Sequence, residues 1–302
     1  MKKAIVTGAN GFVGLAVTKE LVAQGYFVYA IVRSDDYDKF LYNKSVKVLL
    51  CNMSEYNNII NLINGEVDFF FHFAWNGTSG ELRTNEKVQI ENIEYSCNAI
   101  RVAKKIGCKK FIMPSSIMEY EIEQLSYQTV NISENHIYSS AKRAANMMCR
   151  LIANNVGIDY IVGLISNIYG VGEKSLRLIN YSIRKFLNNE LVKFSPGNQK
   201  YDFIYITDAA KIFVLIAEKG KNNNSYYIGN AEIKTLKDYL IELGKTINAT
   251  NLIEIGGLPS IGNGIDYSLI DTYKVKKELG YENKVKFSQG IVATYNWIKE
   301  NL

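Results

Sequence analysis

The first half of the chain alternates short apolar runs rich in β-branched and aromatic residues with longer segments whose apolar positions recur at helical spacing. That rhythm belongs to a parallel sheet flanked by helices. It predicts strands at Lys3–Thr7, Phe27–Val32, Val46–Leu50, Asp68–Phe73, Lys110–Met113 and Asp159–Leu164, and helices at Val13–Ala23, Tyr56–Ile63, Lys87–Lys105 and Ser139–Asn154. From about Gly170 the rhythm loosens, with turn signals at Ser195-Pro196-Gly197-Asn198 and Lys221-Asn222-Asn223-Asn224. The segment Asp202–Glu218 is a β-like run followed by an apolar helix, which predicts a return to the first domain. The expected architecture is α/β: a Rossmann-like doubly wound parallel sheet over residues 1–169, rejoined by 202–220, with a smaller discontinuous C-terminal domain in 170–302.

Composition narrows the classes. With 302 residues and 47% apolar content the chain can bury a sizeable core. The apolar run Ala4-Ile5-Val6 ends at a glycine-rich loop, too short for a signal core, and no stretch approaches the roughly 20 apolar residues of a membrane span, so a cytoplasmic protein without membrane association is expected. Four cysteines without a CxxC pair and two histidines argue against a metal site or a disulfide framework. The formal charge of +5 is spread along the chain and suits a small anionic ligand better than a nucleic-acid groove.

The first chemical signal is Thr7-Gly8-Ala9-Asn10-Gly11-Phe12-Val13-Gly14, which follows the first strand and opens the first helix. Glycines there permit a tight turn and let backbone N–H groups at a helix N-terminus approach a pyrophosphate. The GxxGxxG spacing resembles the short-chain dehydrogenase/reductase superfamily, which implies a nicotinamide dinucleotide held by Gly8, Asn10, Gly11, Phe12, Val13 and Gly14. Aligned on that loop, Val32 stands where NAD-using relatives carry Asp, and Arg33 follows. An arginine there accommodates a ribose 2′-phosphate, so NADP(H) is favoured, with NAD(H) the alternative if Arg33 is merely a solvated loop residue. Asn52 takes the place of the relatives' Asp beside the adenine, and Phe73-Ala74-Trp75 matches the run that lines the cofactor ribose.

The second signal is Tyr138-Ser139-Ser140-Ala141-Lys142, a phenol and an ammonium four residues apart and so on one helix face. A nearby cation brings a phenol, with a free pKa of about 10, toward the working range of an acid or base. Upstream, Ser115-Ser116 closes a strand at the edge that faces the ligand crevice in such folds. The resemblance implies that Ser116 orients the reacting oxygen, Tyr138 moves the proton, and Lys142 tunes Tyr138 and holds the nicotinamide ribose.

The resemblance extends along nearly the whole chain to the extended branch, the NAD-dependent epimerase/dehydratase family. Asn167-Ile168-Tyr169-Gly170-Val171-Gly172 is similar to its N-x-Y-G-P-G turn and implies substrate contact at Asn167; Asp202–Asp208 and Asp271–Tyr281 match two further family segments. Tyr201 and Leu164 replace arginines that often handle a nucleotide diphosphate, and Lys174, Arg177, Arg184 and Lys200 are candidates to substitute, although basic residues there also fit a solvated face. Ile117 and Met118 stand where sugar dehydratases carry an Asp-Glu pair, so dehydration is not expected. Three readings follow. The first is NADPH-dependent reduction of a nucleotide-linked 4-keto-6-deoxy sugar; the second is an NAD-dependent 4-epimerase; the third is a noncatalytic dinucleotide-binding protein. A homodimer through Lys87–Lys105 and Ser139–Asn154 is implied by the same family.

Overall fold

Period-two side-chain alternation explains why the first strands are apolar almost throughout: both faces of their sheet are covered. The computed structural model describes residues 1–122, 133–259 and 264–301. The chain begins β1 (Lys3–Thr7), α1 (Phe12–Ala23), β2 (Phe27–Val32), β3 (Val46–Leu50), β4 (Phe69–His72), α2 (Glu86–Ile106), β5 (Lys110–Ser116), α3 (His136–Val156) and β6 (Asp159–Ile165). It continues with β7 (Asn167–Tyr169), α4 (Leu178–Leu187), β8 (Val192–Phe194), β9 (Lys200–Tyr201), β10 (Phe203–Tyr205), α5 (Ile206–Lys219) and β11 (Ser225–Ile228). The rest is β12 (Lys234–Thr235), α6 (Leu236–Thr246), β13 (Ile253–Ile255), α7 (Lys274–Leu279) and α8 (Phe287–Glu300).

Among the described residues, seven strands form one parallel sheet in the order β11-β6-β5-β4-β1-β2-β3. Chain order reverses between β1 and β4, and ligands of such sheets bind outside the strand ends at that switch point. On one face Ala4, Val6, Val28, Ala30, Phe69 and Phe71 meet α1 and α5; on the other Ile5, Tyr29, Ile31, Phe70 and Phe111 meet α2 and α3. Each fully buried aromatic or branched side chain contributes about 1.5–3 kcal/mol. The doubly wound fold is as the apolar pattern predicts.

Two local expectations change. The helix expected at Tyr56–Ile63 is instead a run of 3-10 turns over Met53–Leu62. Asn57, Asn58 and Asn61 favour turn conformations over a helix interior, while Tyr56 and Ile59, one 3-10 turn apart, still supply the buried face. The seventh strand, β11, follows the Asn222–Asn224 turn and pairs with β6; four residues beside a polar turn carry little periodic signal. β5 also runs past Met113 to Ser116, so both serines lie on the strand.

The short pairs β7–β10, β8–β13 and β9–β12, with α4, α6 and α8, make a lobe beside the sheet. Tyr169, Phe203, Tyr205, Tyr239 and Phe287 pack ring against ring at its centre. Asp208 in the first turn of α5 fastens the C-terminal segment: its carboxylate accepts from the Tyr281 hydroxyl at 2.6 Å and from the Lys284 and Val285 N–H groups at 2.9 and 2.8 Å. Losing a buried carboxylate that satisfies three donors costs about 2–4 kcal/mol. Asp208→Ala is therefore expected to lower the urea midpoint with little change in slope; an unchanged midpoint would show that the segment is held elsewhere. No helix among the described residues is long and apolar enough to cross a membrane.

Candidate active site

A cleft of about 2600 Å³ opens at the switch point, between the strand ends of the sheet and the smaller lobe. The turn from β1 into α1 forms its floor. Gly8 has φ +64°, and a Cβ there would lie 2.8 Å from the Ala74 nitrogen. A Cβ on Gly14 would strike the Gly8 carbonyl. These two glycines serve the loop's own packing. Gly11 differs: its backbone is extended (φ −78°, ψ 162°), and a Cβ would meet only the Gly8 carbonyl, at 3.1 Å, before open cleft. From Gly11 the helix starts with no side-chain cap and no acidic residue in its first turn, so its free N–H groups and positive dipole end suit a pyrophosphate. The residues present fit a dinucleotide; Phe12 and Val13 line the same floor.

Asn10 turns its side chain to the protein. Its amide donates to the Asp36 carbonyl at 3.0 Å and accepts from the Asp38 N–H at 2.8 Å, which holds the loop after β2. In that loop Arg33 lies exposed at the cleft edge and donates to the Asn76 side-chain oxygen at 3.2 Å. Asn52 lines the cleft from the end of β3 and makes no capping bond. Ala74 donates its N–H to the Thr7 hydroxyl at 3.2 Å, and the Phe73 ring meets Phe213 edge-on at 4.9 Å, so Phe73 joins core to cleft. Beneath them burial lowers the His72 imidazole to about 3, leaving a neutral ring between Thr7 and Ser96.

Strand alternation separates the two serines of β5. Ser115 is buried with no partner for its hydroxyl among the described residues, whereas Ser116 is half-buried in the cleft and accepts from the Met118 N–H at 3.2 Å. Tyr138, in the first turn of α3, and Lys142, one turn on, line the same end of the cleft. The fold thus brings together the three residues that the motifs single out. Asn167 lies nearby at the lobe side, its amide donating to the Asp202 carbonyl at 3.1 Å. Lys174, Arg177 and Lys200 line the cleft as well; Arg184 instead donates to Asn180 at 2.9 Å and is not a lining residue.

The electrostatics contain parts that motif spacing did not reveal. Arg83 places its guanidinium 3.9 Å from the Tyr138 ring centroid. Burial raises the Tyr138 phenol, opposed first by Arg83 and then by Arg177. The Lys142 ammonium lies 3.5 Å from the Trp75 ring centroid and donates to the Pro114 carbonyl at 3.4 Å, and burial lowers its pKa to about 7. Glu119 is buried nearby: one oxygen accepts from Asn146 at 2.9 Å, the other has no partner among the described residues, and burial pushes the carboxyl up to about 7. Glu119 sits beside Ile117 and Met118, and only its burial marks it. Arg83 has no motif at all and comes from the short turn just before α2.

The family model described as the NAD dependent epimerase/dehydratase family matches residues 4–229. The CDP-abequose synthase of Salmonella typhimurium strain LT2 is 26% identical over 298 residues, 95% of this chain and 95% of that one. Among solved structures, the UDP-N-acetylglucosamine 4-epimerase from Bacillus cereus superposes with a TM-score of 0.79 at 18% identity over 99% of this chain and 97% of that one. The dTDP-glucose 4,6-dehydratase DesIV from Streptomyces venezuelae, solved with NAD and TYD bound, gives 0.81 at 18% identity with the same coverage of each chain. At those identities the structures show a shared fold.

Proposed function

We propose that this chain, which belongs to the NAD dependent epimerase/dehydratase family, is an NADPH-dependent reductase of a nucleotide-linked 4-keto-6-deoxy sugar. The observation that carries the reading is the charge at the cofactor end of the cleft. Where a ribose-binding carboxylate would stand, Val32 is buried, and the next residue is an arginine at the cleft edge. A guanidinium favours a 2′-phosphate, and NADPH is the form that a reductase consumes. The 26% identity to a CDP-abequose synthase over 95% of both chains supports the same class.

Bound NADPH supplies the hydride. The chain's own groups do the remaining work: the Ser116 hydroxyl holds the carbonyl oxygen in register, and the Tyr138 hydroxyl gives that oxygen its proton as the C–O bond becomes single. Lys142 and Asn167 line the same cleft, where Lys142 would hold the nicotinamide ribose and Asn167 would contact the sugar. Ile117 and Met118, where sugar dehydratases carry an Asp-Glu pair, offer neither acid nor base, which argues against dehydration.

Purified protein incubated with nucleotide 4-keto sugars and either reduced cofactor tests the reading through product analysis. Reduced sugar formed in step with NADPH oxidation is expected. Interconversion of sugar epimers with no net use of NADPH would replace the reductase by the 4-epimerase, which needs the same three side chains. Arg33→Ala is expected to weaken NADPH by about 1–3 kcal/mol and leave NADH nearly unchanged; equal affinities for both cofactors in the unmodified protein would refute the preference. Self-association belongs to the same reading, since Ile90 on α2 and Met147, Met148 and Leu151 on α3 are exposed; sedimentation at micromolar concentration reads it.

A further inference from the structure

The Tyr138 ring is flanked by two side chains of one segment. Arg83 stacks its guanidinium on it at 3.9 Å, and Trp75 meets it edge-on at 6.3 Å. Residues 75–83, which carry both, are held firmly by α2. Gln89 donates to the Asn76, Gly77 and Leu82 carbonyls at 3.3, 3.1 and 3.0 Å and accepts from the Trp75 indole at 2.9 Å. Asn92 bonds the Asn76 carbonyl and N–H at 2.8 and 2.9 Å. Arg83 is itself tied at two nitrogens, to the Thr78 carbonyl at 3.0 Å and to the Met118 sulfur at 2.8 Å. A guanidinium anchored at both arms holds its place without ligand.

Lys142 is disposed otherwise. Its Nζ lies 5.9 Å from the Tyr138 ring centroid and only 3.5 Å from that of Trp75. With a pKa lowered by burial to about 7, it carries a partial charge at neutral pH, whereas a guanidinium stays charged.

We propose that Arg83 is a positioning residue that supplies a fixed positive charge against the face of the Tyr138 ring, in addition to Lys142. The inference rests on the reading of Tyr138 as the proton donor. When Tyr138 gives up its proton, the negative charge develops on a ring already facing the Arg83 guanidinium, so the phenolate is stabilised where it forms. Burial and the Glu119 carboxyl act against the phenolate, while Arg83 and, more weakly, Arg177 act for it; Glu121 and Arg177 in turn face Arg83. The part of the charge support that Arg83 supplies does not depend on the protonation of Lys142.

The test reads the phenol directly. A 3,5-difluorotyrosine installed at position 138 confines the fluorine signal to one residue in a chain of 21 tyrosines, and its pH titration needs neither substrate nor dinucleotide. Removing a neighbouring cation disfavours the phenolate, so Arg83→Met is expected to move the midpoint upward by about 1–3 pH units. Arg83→Gln, which keeps an amide donor for Thr78, is expected to do the same, and Arg83→Lys to bring the midpoint most of the way back. Arg177→Met is expected to move it less than Arg83→Met does. An unmoved midpoint in both Arg83→Met and Arg83→Gln would overturn the proposal. Because no turnover is involved, inactivity toward every nucleotide sugar would sink the proposed function and leave this result standing.

Discussion

Tyr138→Phe is expected to lower turnover on a nucleotide 4-keto sugar by about 10²-fold or more while leaving NADPH affinity within a few-fold of the unmodified protein. The substitution removes one hydroxyl from a ring whose position is set by neighbours: Arg83 on its face and Trp75 at its edge hold Phe as they hold Tyr. What disappears is the proton that the reduced oxygen needs, so the loss falls on kcat. Adding Arg83→Met to this variant is expected to cost little more, since a cation without a phenol beside it has no charge to stabilise; residues that act as one unit are not additive. Turnover rates of the two single variants and the double variant decide the matter. Losses that multiplied would mean that Arg83 works on the substrate directly.

Gly11→Val is expected to abolish measurable dinucleotide binding in a protein that still folds, with Kd raised by about 10²-fold or more, some 2.7 kcal/mol. The backbone at Gly11 is extended, a conformation that suits a β-branched residue, and the added Cβ meets one carbonyl before entering the cleft. The isopropyl group would then occupy the space that a pyrophosphate requires. Gly14→Val should behave in the opposite sense. Its Cβ would collide with the Gly8 carbonyl inside the loop, so stability should fall by about 1–3 kcal/mol or more, with binding lost as a consequence. Calorimetric titration with NADPH beside a thermal melt separates the two. A Gly11→Val protein that binds normally would place the phosphates elsewhere.

The difference between these two glycines also shows how far spacing alone can be read. Both belong to one GxxGxxG pattern, and the pattern correctly marks a strand-to-helix turn. Only the packed loop shows that a Cβ at Gly14 would meet backbone while one at Gly11 would reach toward the cleft. Asn10 adds to this: it lines the cleft as the pattern implies, and only the packed loop shows that its side chain also holds the segment after β2 through Asp36 and Asp38.

What the sequence by itself determined is the set of features whose cause is local. Apolar runs placed β1 and β2 with their bounds, because burial on two faces selects side chains at every position of such a strand. A four-residue interval put Tyr138 and Lys142 on one face of α3, since the helical repeat requires it. The tertiary structure decided the rest. Arg83 against Tyr138, Trp75 over Lys142 and the buried Glu119 near them are contacts between segments distant in the chain, and no periodicity encodes them. Their consequence is electrostatic. The spacing of the tyrosine and lysine points to Lys142 as a cation that serves the phenol; only the packed site adds the Arg83 guanidinium, 3.9 Å from the ring centroid, because charges that meet in low-dielectric surroundings come from segments that spacing does not relate.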